Sequence, residues 1–90
     1  MNKNELITKI SDDTDVSKSD TAKIVDSLFD SITSELKSGG DVRLVGFGTF
    51  LVTKRKATTG RNPQTGAAIQ IPAANVPKFR AGKALKESVN

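Results

Sequence analysis

The hydrophobic and polar positions between Ser17 and Gly39 follow the period of an α-helix. At about 100° per residue, six apolar side chains fall within an arc of about 140°, with charged side chains opposite. These six are Ile24, Val25, Leu28, Phe29, Ile32 and Leu36. Ser17 and Asp20 form a start signal, and Gly39-Gly40 is a stop signal. The pattern predicts a long amphipathic helix with an apolar face too wide for a short neighbour to cover.

A shorter helix is predicted before it. Leu6, Ile7 and Ile10 share one helical face, behind an Asn2…Glu5 start that resembles a capping box. The segment Asp12-Asp13-Thr14-Asp15 then breaks the pattern, but the glycine and the closing glutamate of a calcium loop are missing. We therefore expect a helix end and a polar turn there, and no metal site.

Strand patterns follow the helices. Residues 42–45 and 49–52 are rich in β-formers and are joined by the tight turn Gly46-Phe47-Gly48, which lacks the third glycine of a dinucleotide-binding motif. A strand texture resumes from Ile69 to Phe79, and a short helix is predicted over residues 83–89. The order helix, helix, three strands, helix predicts an α+β fold with a three-stranded antiparallel sheet.

Residues 53–72 are predicted to form a long β-hairpin arm. Between residues 53 and 68 the only apolar side chains are alanines, and Asn62-Pro63 provides turn chemistry near the centre. Ten residues at about 3.3 Å each would extend the arm roughly 33 Å beyond the body. A disordered loop is the alternative that the composition permits. The limbs carry lysine and arginine without any acid, which favours an arm that lies along a nucleic-acid groove.

Charge is divided unevenly along the chain. Residues 1–41 carry five basic and nine acidic side chains, whereas residues 42–90 carry nine basic side chains and one acid, Glu87. Such asymmetry indicates a polyanionic partner for the second half. Nucleic acid is favoured over an anionic membrane surface, and a merely solvated basic face is the remaining alternative.

Composition also excludes several functions. The chain has no cysteine and no histidine, so disulfides, thiolate metal sites and the commonest general base are absent. Its carboxylates cluster in the acidic half, away from the basic region, so we expect no enzyme and no cofactor. No apolar run approaches the roughly 18 residues of a membrane span. The N-terminus lacks the apolar core of a signal peptide, and a cytoplasmic protein is expected.

Ninety residues make a single domain whose core is small. Without the arm about 70 residues remain, a size that usually requires a disulfide, a metal or oligomerisation. Since the first two are excluded, we expect an obligate dimer, with residues 1–40 as its helical dimerisation region. The predicted dimer core is Leu28, Phe29, Ile32, Leu36, Phe47, Phe50 and Phe79.

Five segments together resemble the HU and integration host factor family of bacterial histone-like proteins. They are MNKNELI, VGFGTF, GRNPQTG, IPAANVPKF and AGKALKESVN, and the resemblance covers essentially the full length. The first and fourth segments fit the HU branch better. The resemblance implies an intertwined dimer, expected to be a homodimer. Its two β-arms would enter the minor groove of double-stranded DNA, bend it with little regard for sequence, and help to compact the nucleoid.

The resemblance also implies roles for single residues. Pro63 matches the family's intercalating wedge at the arm tip, with Arg61 and Asn62 beside it in the minor groove; a simple turn proline is the alternative. The remaining expected DNA contacts are Lys3, Gly46, Gly48, Lys54, Arg55, Lys56, Gln64, Lys78, Arg80, Lys83 and Lys86. Relatives commonly carry arginine at the positions of Thr53 and Thr58, where Lys54 and Lys56 are expected to compensate by charge.

RNA is the main alternative partner, since phosphate contacts carry no sugar preference. Four phenylalanines, with no tyrosine or tryptophan, offer little for the aromatic platforms that single-strand readers use. We therefore expect duplex DNA, above all in bent, nicked or distorted forms, with RNA secondary.

Overall fold

Three helices and five strands form two compact units. A computed structural model describes residues 1–90, and the units are Met1–Ser34 and Glu35–Asn90. The elements in chain order are α1 (Lys3–Thr14), α2 (Lys18–Lys37), β1 (Val42–Leu44), β2 (Gly48–Arg55), β3 (Thr58–Arg61), β4 (Ala68–Ile71), β5 (Ala74–Ala81) and α3 (Lys83–Ser88). The predicted α+β class is confirmed. No helix combines the length and the apolar character needed to cross a membrane.

The start signals of both long helices act as predicted. The side chain of Asn2 accepts a hydrogen bond from the N–H of Glu5 at 2.9 Å, and the Ser17 hydroxyl accepts one from the N–H of Asp20 at 3.1 Å. Each bond satisfies one of the backbone donors that a helix leaves free in its first turn. Asp15 ends α1 in the left-handed region, with φ of 58°.

Two glycines end α2, and the N–H of each donates a hydrogen bond to a carbonyl of the last helical turn. Gly39 has φ of 90°, and its N–H donates to Leu36 O at 3.1 Å, while the N–H of Gly40 donates to Glu35 O at 3.0 Å. This is the Schellman arrangement, which satisfies the last carbonyls of a helix and requires a residue tolerant of positive φ. The glycine pair therefore fixes the helix end at the predicted place.

The helical unit has a small core. Ile7 and Val25 are its buried apolar side chains, together with the buried hydroxyl residues Ser11 and Thr21. Both hydroxyls donate to the carbonyl oxygen of Val16 in the α1–α2 connection. Burial of these polar groups is therefore matched by hydrogen bonds, as close packing in a low-dielectric interior requires.

The second unit is built on an antiparallel sheet in the order β1-β2-β5. Directly paired residues share a face, and Val42, Phe50 and Phe79 form one apolar row across the three strands. The rings of Phe50 and Phe79 lie 4.8 Å apart, and those of Phe47 and Phe79 lie 5.5 Å apart. These spacings are typical of aromatic pairs that stabilise a core.

A second ladder, β3-β4, lies beyond this sheet. Thr58 pairs with Ile71, whereas Arg55 pairs with Ala74 at the end of the first ladder, so two residues on each strand separate the ladders without changing the register. Pro72 lies in the break and has no N–H to donate. The strand texture predicted from Ile69 to Phe79 therefore corresponds to two strands, β4 and β5, which are separated by residues 72–73.

Candidate nucleic-acid interface

The tip of the hairpin is a four-residue turn closed by Asn62. Its N–H donates to Ala67 O at 2.9 Å, and its carbonyl accepts the N–H of Gly66 at 2.7 Å. The Asn62 side chain also accepts the N–H of Gln64 at 2.9 Å, which forms an Asx turn around Pro63. Pro63 is exposed, so the turn presents its ring to solvent at the far end of the arm.

Arg61 lies at the last position of β3, beside the turn. Its guanidinium donates to Gly66 O at 3.4 Å, a long bond that engages one of its five donors. Arg61 has no acidic partner, because the chain contains no acid between Asp41 and Glu87. The charge at the tip is therefore available to an external anion.

The base of the arm separates its basic side chains onto two faces. Arg55 pairs with Ala74 and Lys54 with Asn75, and adjacent strand residues point to opposite faces. Thr53 shares the face of Arg55, whereas Lys54 lies on the other. The predicted set of arm cations thus lies on both faces. Lys54 lies on the face opposite Thr53. Charge compensation by Lys54 and Lys56 stays a prediction.

The strand β5 places two predicted cations on the polar face of the sheet. Arg80 pairs with Thr49, and Lys78 pairs with Leu51, so both lie on the face opposite the phenylalanine row. Both side chains are exposed. Arg55 follows the same alternation along β2, so this face of the sheet leads into one face of the arm. The structure therefore brings together cations that are distant in sequence.

The two glycines of the β1–β2 turn have different environments. Gly46 has φ of 82°, and open space surrounds the position of a Cβ atom. Gly48 is buried, and a Cβ there would lie 2.5 Å from Phe79 Cζ and 2.7 Å from the carbonyl oxygen of Arg80. Gly46 is accessible to a partner, while Gly48 chiefly permits the close approach of Phe79.

Three predicted contacts lie on helices. Lys3, in the helical unit, forms an ion pair with Asp26 and lies 5.8 Å from the centre of the Phe29 ring. Lys83 and Lys86 lie in α3 of the second unit, and Lys83 is 3.8 Å from Glu87. These pairs are exposed and weak in solvent, so the lysines can exchange them for other anions.

The seven residues predicted to form a dimer core are not buried within one chain. Leu28, Phe29, Phe47 and Phe79 remain between 42% and 48% exposed. Ile32, Leu36 and Phe50 are half-buried. One chain therefore leaves most of its large apolar side chains in contact with solvent.

Sequence reasoning missed one basic residue and its partner. Arg43 pairs with Thr49 across the sheet and so shares the face of Arg80, while its Nε donates to Asp41 Oδ2 at 3.2 Å. The strand alternation of residues 42–45 already indicated that Arg43 and the apolar Val42 point to opposite faces. Its neighbours on that face could be identified only from the register.

Comparisons with known proteins agree with this geometry. A family model described as bacterial DNA-binding protein matches residues 1–90. The chain is 58% identical to DNA-binding protein HRm of Rhizobium meliloti, and 58% identical to DNA-binding protein HU-beta of Escherichia coli K12, over 100% of both chains in each case. An HU–DNA cocrystal structure from Anabaena superposes with a TM-score of 0.93 at 40% identity, covering 99% of this chain and 97% of the other. The chain therefore belongs to the bacterial DNA-binding protein family that includes HU.

Proposed function

We propose that this chain binds double-stranded DNA as a dimer and bends it by placing its two arms in the minor groove. The observation that carries the proposal is the exposed Pro63 ring at the end of a basic hairpin without acidic residues. DNA binding and bending are properties of the family to which the chain belongs. The individual contacts, the dimer and the DNA preferences are inferred from the geometry described above.

Electrostatics supports a duplex partner of any sequence. Residues 42–86 carry nine basic side chains and no acid, and the basic residues follow both the arm and one face of the sheet. Cations that neutralise phosphates release condensed counterions, and this favours binding without selecting a sequence. At the arm tip, Arg61 and Asn62 would meet base edges, and the minor groove offers a degenerate pattern there. Low sequence specificity follows.

The arm tip exposes the Pro63 ring in a way that suits insertion between base pairs. The Asx turn around Pro63 fixes the backbone on both sides of the ring, so the ring is presented in a defined orientation. Apolar side chains that enter between base pairs from the minor groove unstack a step and kink the duplex toward the major groove. Gln64 follows the proline directly and would contact the DNA backbone next to the kink.

A dimer is supported by the exposed apolar surface of one chain. Along α2, Ile24 is 62% exposed, Leu28 48% and Phe29 43%, although all belong to the predicted apolar face. Monomeric soluble proteins rarely leave so continuous an apolar face in water. A second identical chain would cover this face with a matching one, as two-fold homodimers do. It would also bring a second arm to the same duplex and raise the effective concentration of each.

Compaction and organisation of the bacterial nucleoid follow as the cellular role we propose. A protein that bends DNA with little sequence preference acts wherever duplex is available, so abundance rather than site choice sets its effect. Binding to bacterial chromosomal DNA places the protein in the cytoplasm with the nucleoid. The architectural role requires no catalytic group and no cofactor.

A salt titration with a matched control tests the proposal. Binding of a labelled duplex is measured against salt for the parent, for Lys54→Gln/Arg55→Gln/Lys56→Gln in the arm, and for Lys9→Gln/Lys18→Gln/Lys23→Gln in the acidic half. We expect a log–log slope between about −5 and −9 for the parent, lowered in magnitude only by the arm variant. Competition with a scrambled duplex measures the preference for DNA sequence, and competition with RNA of equal length measures the preference for DNA over RNA. A parent slope shallower than about −2, or equal losses in both variants, would contradict the proposal.

A further inference from the structure

Three side chains form a row across the sheet that we call the basic row, and only one of them, Arg80, is among the predicted DNA contacts. Arg43 of β1 pairs with Thr49 of β2, and Thr49 pairs with Arg80 of β5. The three side chains therefore share the polar face of the sheet, with the strands about 4.8 Å apart. Two guanidinium groups thus flank one hydroxyl on the face that also carries Lys78. The basic row therefore offers hydrogen-bond donors from two charged guanidinium groups and from the neutral hydroxyl between them.

The row lies beside an open groove at the β1–β2 turn. Arg43 and Thr49 line a groove of about 260 Å³ next to the β1–β2 turn, together with Leu44, Val45, Gly46, Gly48 and Gly82. In that turn the N–H of Phe47 donates to Leu44 O at 2.9 Å, and Gly46 has no side chain to restrict access. The wall of this groove is partly apolar, so Arg43 and the Thr49 hydroxyl are the side-chain groups in it that would bind an anion.

Arg43 is held by a single exposed acid. Its Nε donates to Asp41 Oδ2 at 3.2 Å, and the two side chains are 78% and 46% exposed. The terminal nitrogens of Arg43 make no hydrogen bond within the chain. An exposed pair of this kind contributes little to stability, so exchange of the carboxylate for another anion is inexpensive. Asp41 therefore acts as an internal competitor for the same guanidinium.

We propose that Arg43, Thr49 and Arg80 form a phosphate-binding site for the duplex backbone on the body of the protein, separate from the arm tip. This rests on the DNA binding proposed above and deepens it. Arginine suits the site because its planar fork binds two phosphate oxygens at once, which a lysine does not. Arg43 exchanges Asp41 for a phosphate when DNA binds. The site positions the duplex and carries no sequence information.

Arg43→Gln is the test variant, and Lys37→Gln is its matched control. Each removes one exposed positive charge from the second unit, but Lys37 lies at the end of α2 rather than in the basic row. For Arg43→Gln we expect binding to straight duplex about threefold to tenfold weaker at moderate salt, with a log–log slope shallower by about one unit per chain. The bend angle of the bound DNA stays at the parent value, because the arm tip is untouched. Lys37→Gln leaves all three readouts unchanged.

Asp41→Asn provides a second and opposite test. Removing the competing carboxylate should tighten duplex binding when Arg43 is present, and should have a smaller effect in the Arg43→Gln background. A double-mutant cycle over the four proteins measures this coupling. Thermal unfolding of each variant at one concentration confirms that the fold is intact.

The outcomes separate this inference from the function on which it rests. If the parent shows a steep salt slope and bends DNA, but Arg43→Gln matches Lys37→Gln, the Arg43 site is wrong and the proposed function stands. Equal effects of Asp41→Asn in both backgrounds would likewise overturn the site. If the parent does not bind duplex in a salt-dependent way, both proposals fail.

Discussion

Asn62 and Gln64 are joined across Pro63 by a hydrogen bond from the Gln64 N–H to the Asn62 side chain, 2.9 Å long. The bond fixes the backbone on both sides of the proline without covering its ring. A side chain therefore defines the geometry of the arm tip, and the turn does not depend on packing against the body. Asn62 and Pro63 therefore have separate roles: the Asn62 side chain shapes the turn, and the turn exposes the Pro63 ring.

Pro63→Ala should reduce bending more than affinity. The substitution removes no charge, so the salt slope should stay at the parent value, while the wedge that holds a base step unstacked is lost. Bend angles follow from fluorescence transfer across a doubly labelled duplex, measured beside a salt titration. Nicked duplexes are easier to kink and should lose less affinity than intact ones. A variant that bends DNA as fully as the parent would show that Pro63 is only a turn residue.

Arg61→Ala should have the complementary effect. It removes a tip charge that has no acidic partner, so the log–log salt slope should become shallower by about one unit per arm. Asn62 and Gln64 still close the turn, so the free arm should keep its amide chemical shifts beyond the mutated position. Thr59→Ala, also on the arm but uncharged, is the control. An unchanged slope would mean that Arg61 does not contact phosphate or groove.

Ile32→Asp should prevent folding at micromolar concentration. Ile32 lies on the apolar face of α2 that one chain leaves largely uncovered, and a charge there cannot be buried between two chains. Thr33→Asp adds the same charge on the exposed side of the helix and should leave the dimer intact. Circular dichroism and sedimentation report both properties. A well-folded monomer of Ile32→Asp would contradict the obligate dimer.

The arm beyond residue 57 should move on the picosecond to nanosecond timescale when free. Its β3-β4 ladder has four pairs, its side chains are mostly exposed, and the break at Pro72 separates it from the main sheet. Amide order parameters near Pro63 should lie below about 0.6 in the free protein and rise on DNA. Residues of the β2-β5 ladder provide the internal reference, near about 0.85. Rigid values at the free tip would indicate packing that these contacts do not explain.

Gly48→Ala should destabilise the fold by about 1–3 kcal/mol, because a Cβ would lie against the Phe79 ring and the Arg80 carbonyl. At fixed protein concentration the melting temperature should fall by at least several degrees. Gly46→Asn is the control, since its side chain would enter open space and asparagine tolerates positive φ. Equal melting temperatures for Gly48→Ala and the parent would mean that the Phe79 ring moves aside without cost.

Local signals predicted the helices and the arm, because their causes lie within a few residues. The side chains of Asn2 and Ser17 cap the two helices. Gly39 and Gly40 end α2 by donating to carbonyls three and five positions earlier, respectively. Turn chemistry likewise placed Pro63 at the tip. Each of these features depends on residues that are close in sequence, so it can be predicted from the sequence alone.

Features that depend on pairing could not be predicted in the same way. The neighbours of Arg43 on its sheet face follow from registers that join residues six and 31 positions apart. The break between the ladders depends on Pro72 lying opposite residue 57, a relationship fixed by the turn at the far end of the arm. Sequence gives the alternation of faces along one strand, but it does not state which strand lies beside it.

The shared register of the two ladders limits how this arm can change in length. Deleting one residue from the limb that leads into β3 would turn every later side chain of that limb to the opposite face, including Arg61. Deleting one residue from each limb would preserve the strand pairing. The side chains of the tip would still point to the opposite face relative to those of the base. Removing residues 56–57 together with 72–73 is the smallest change that keeps both pairing and facing. Evolution or design can therefore shorten or lengthen this arm only in steps of two residues per limb, and the unpaired break is where such a step disturbs the fewest hydrogen bonds.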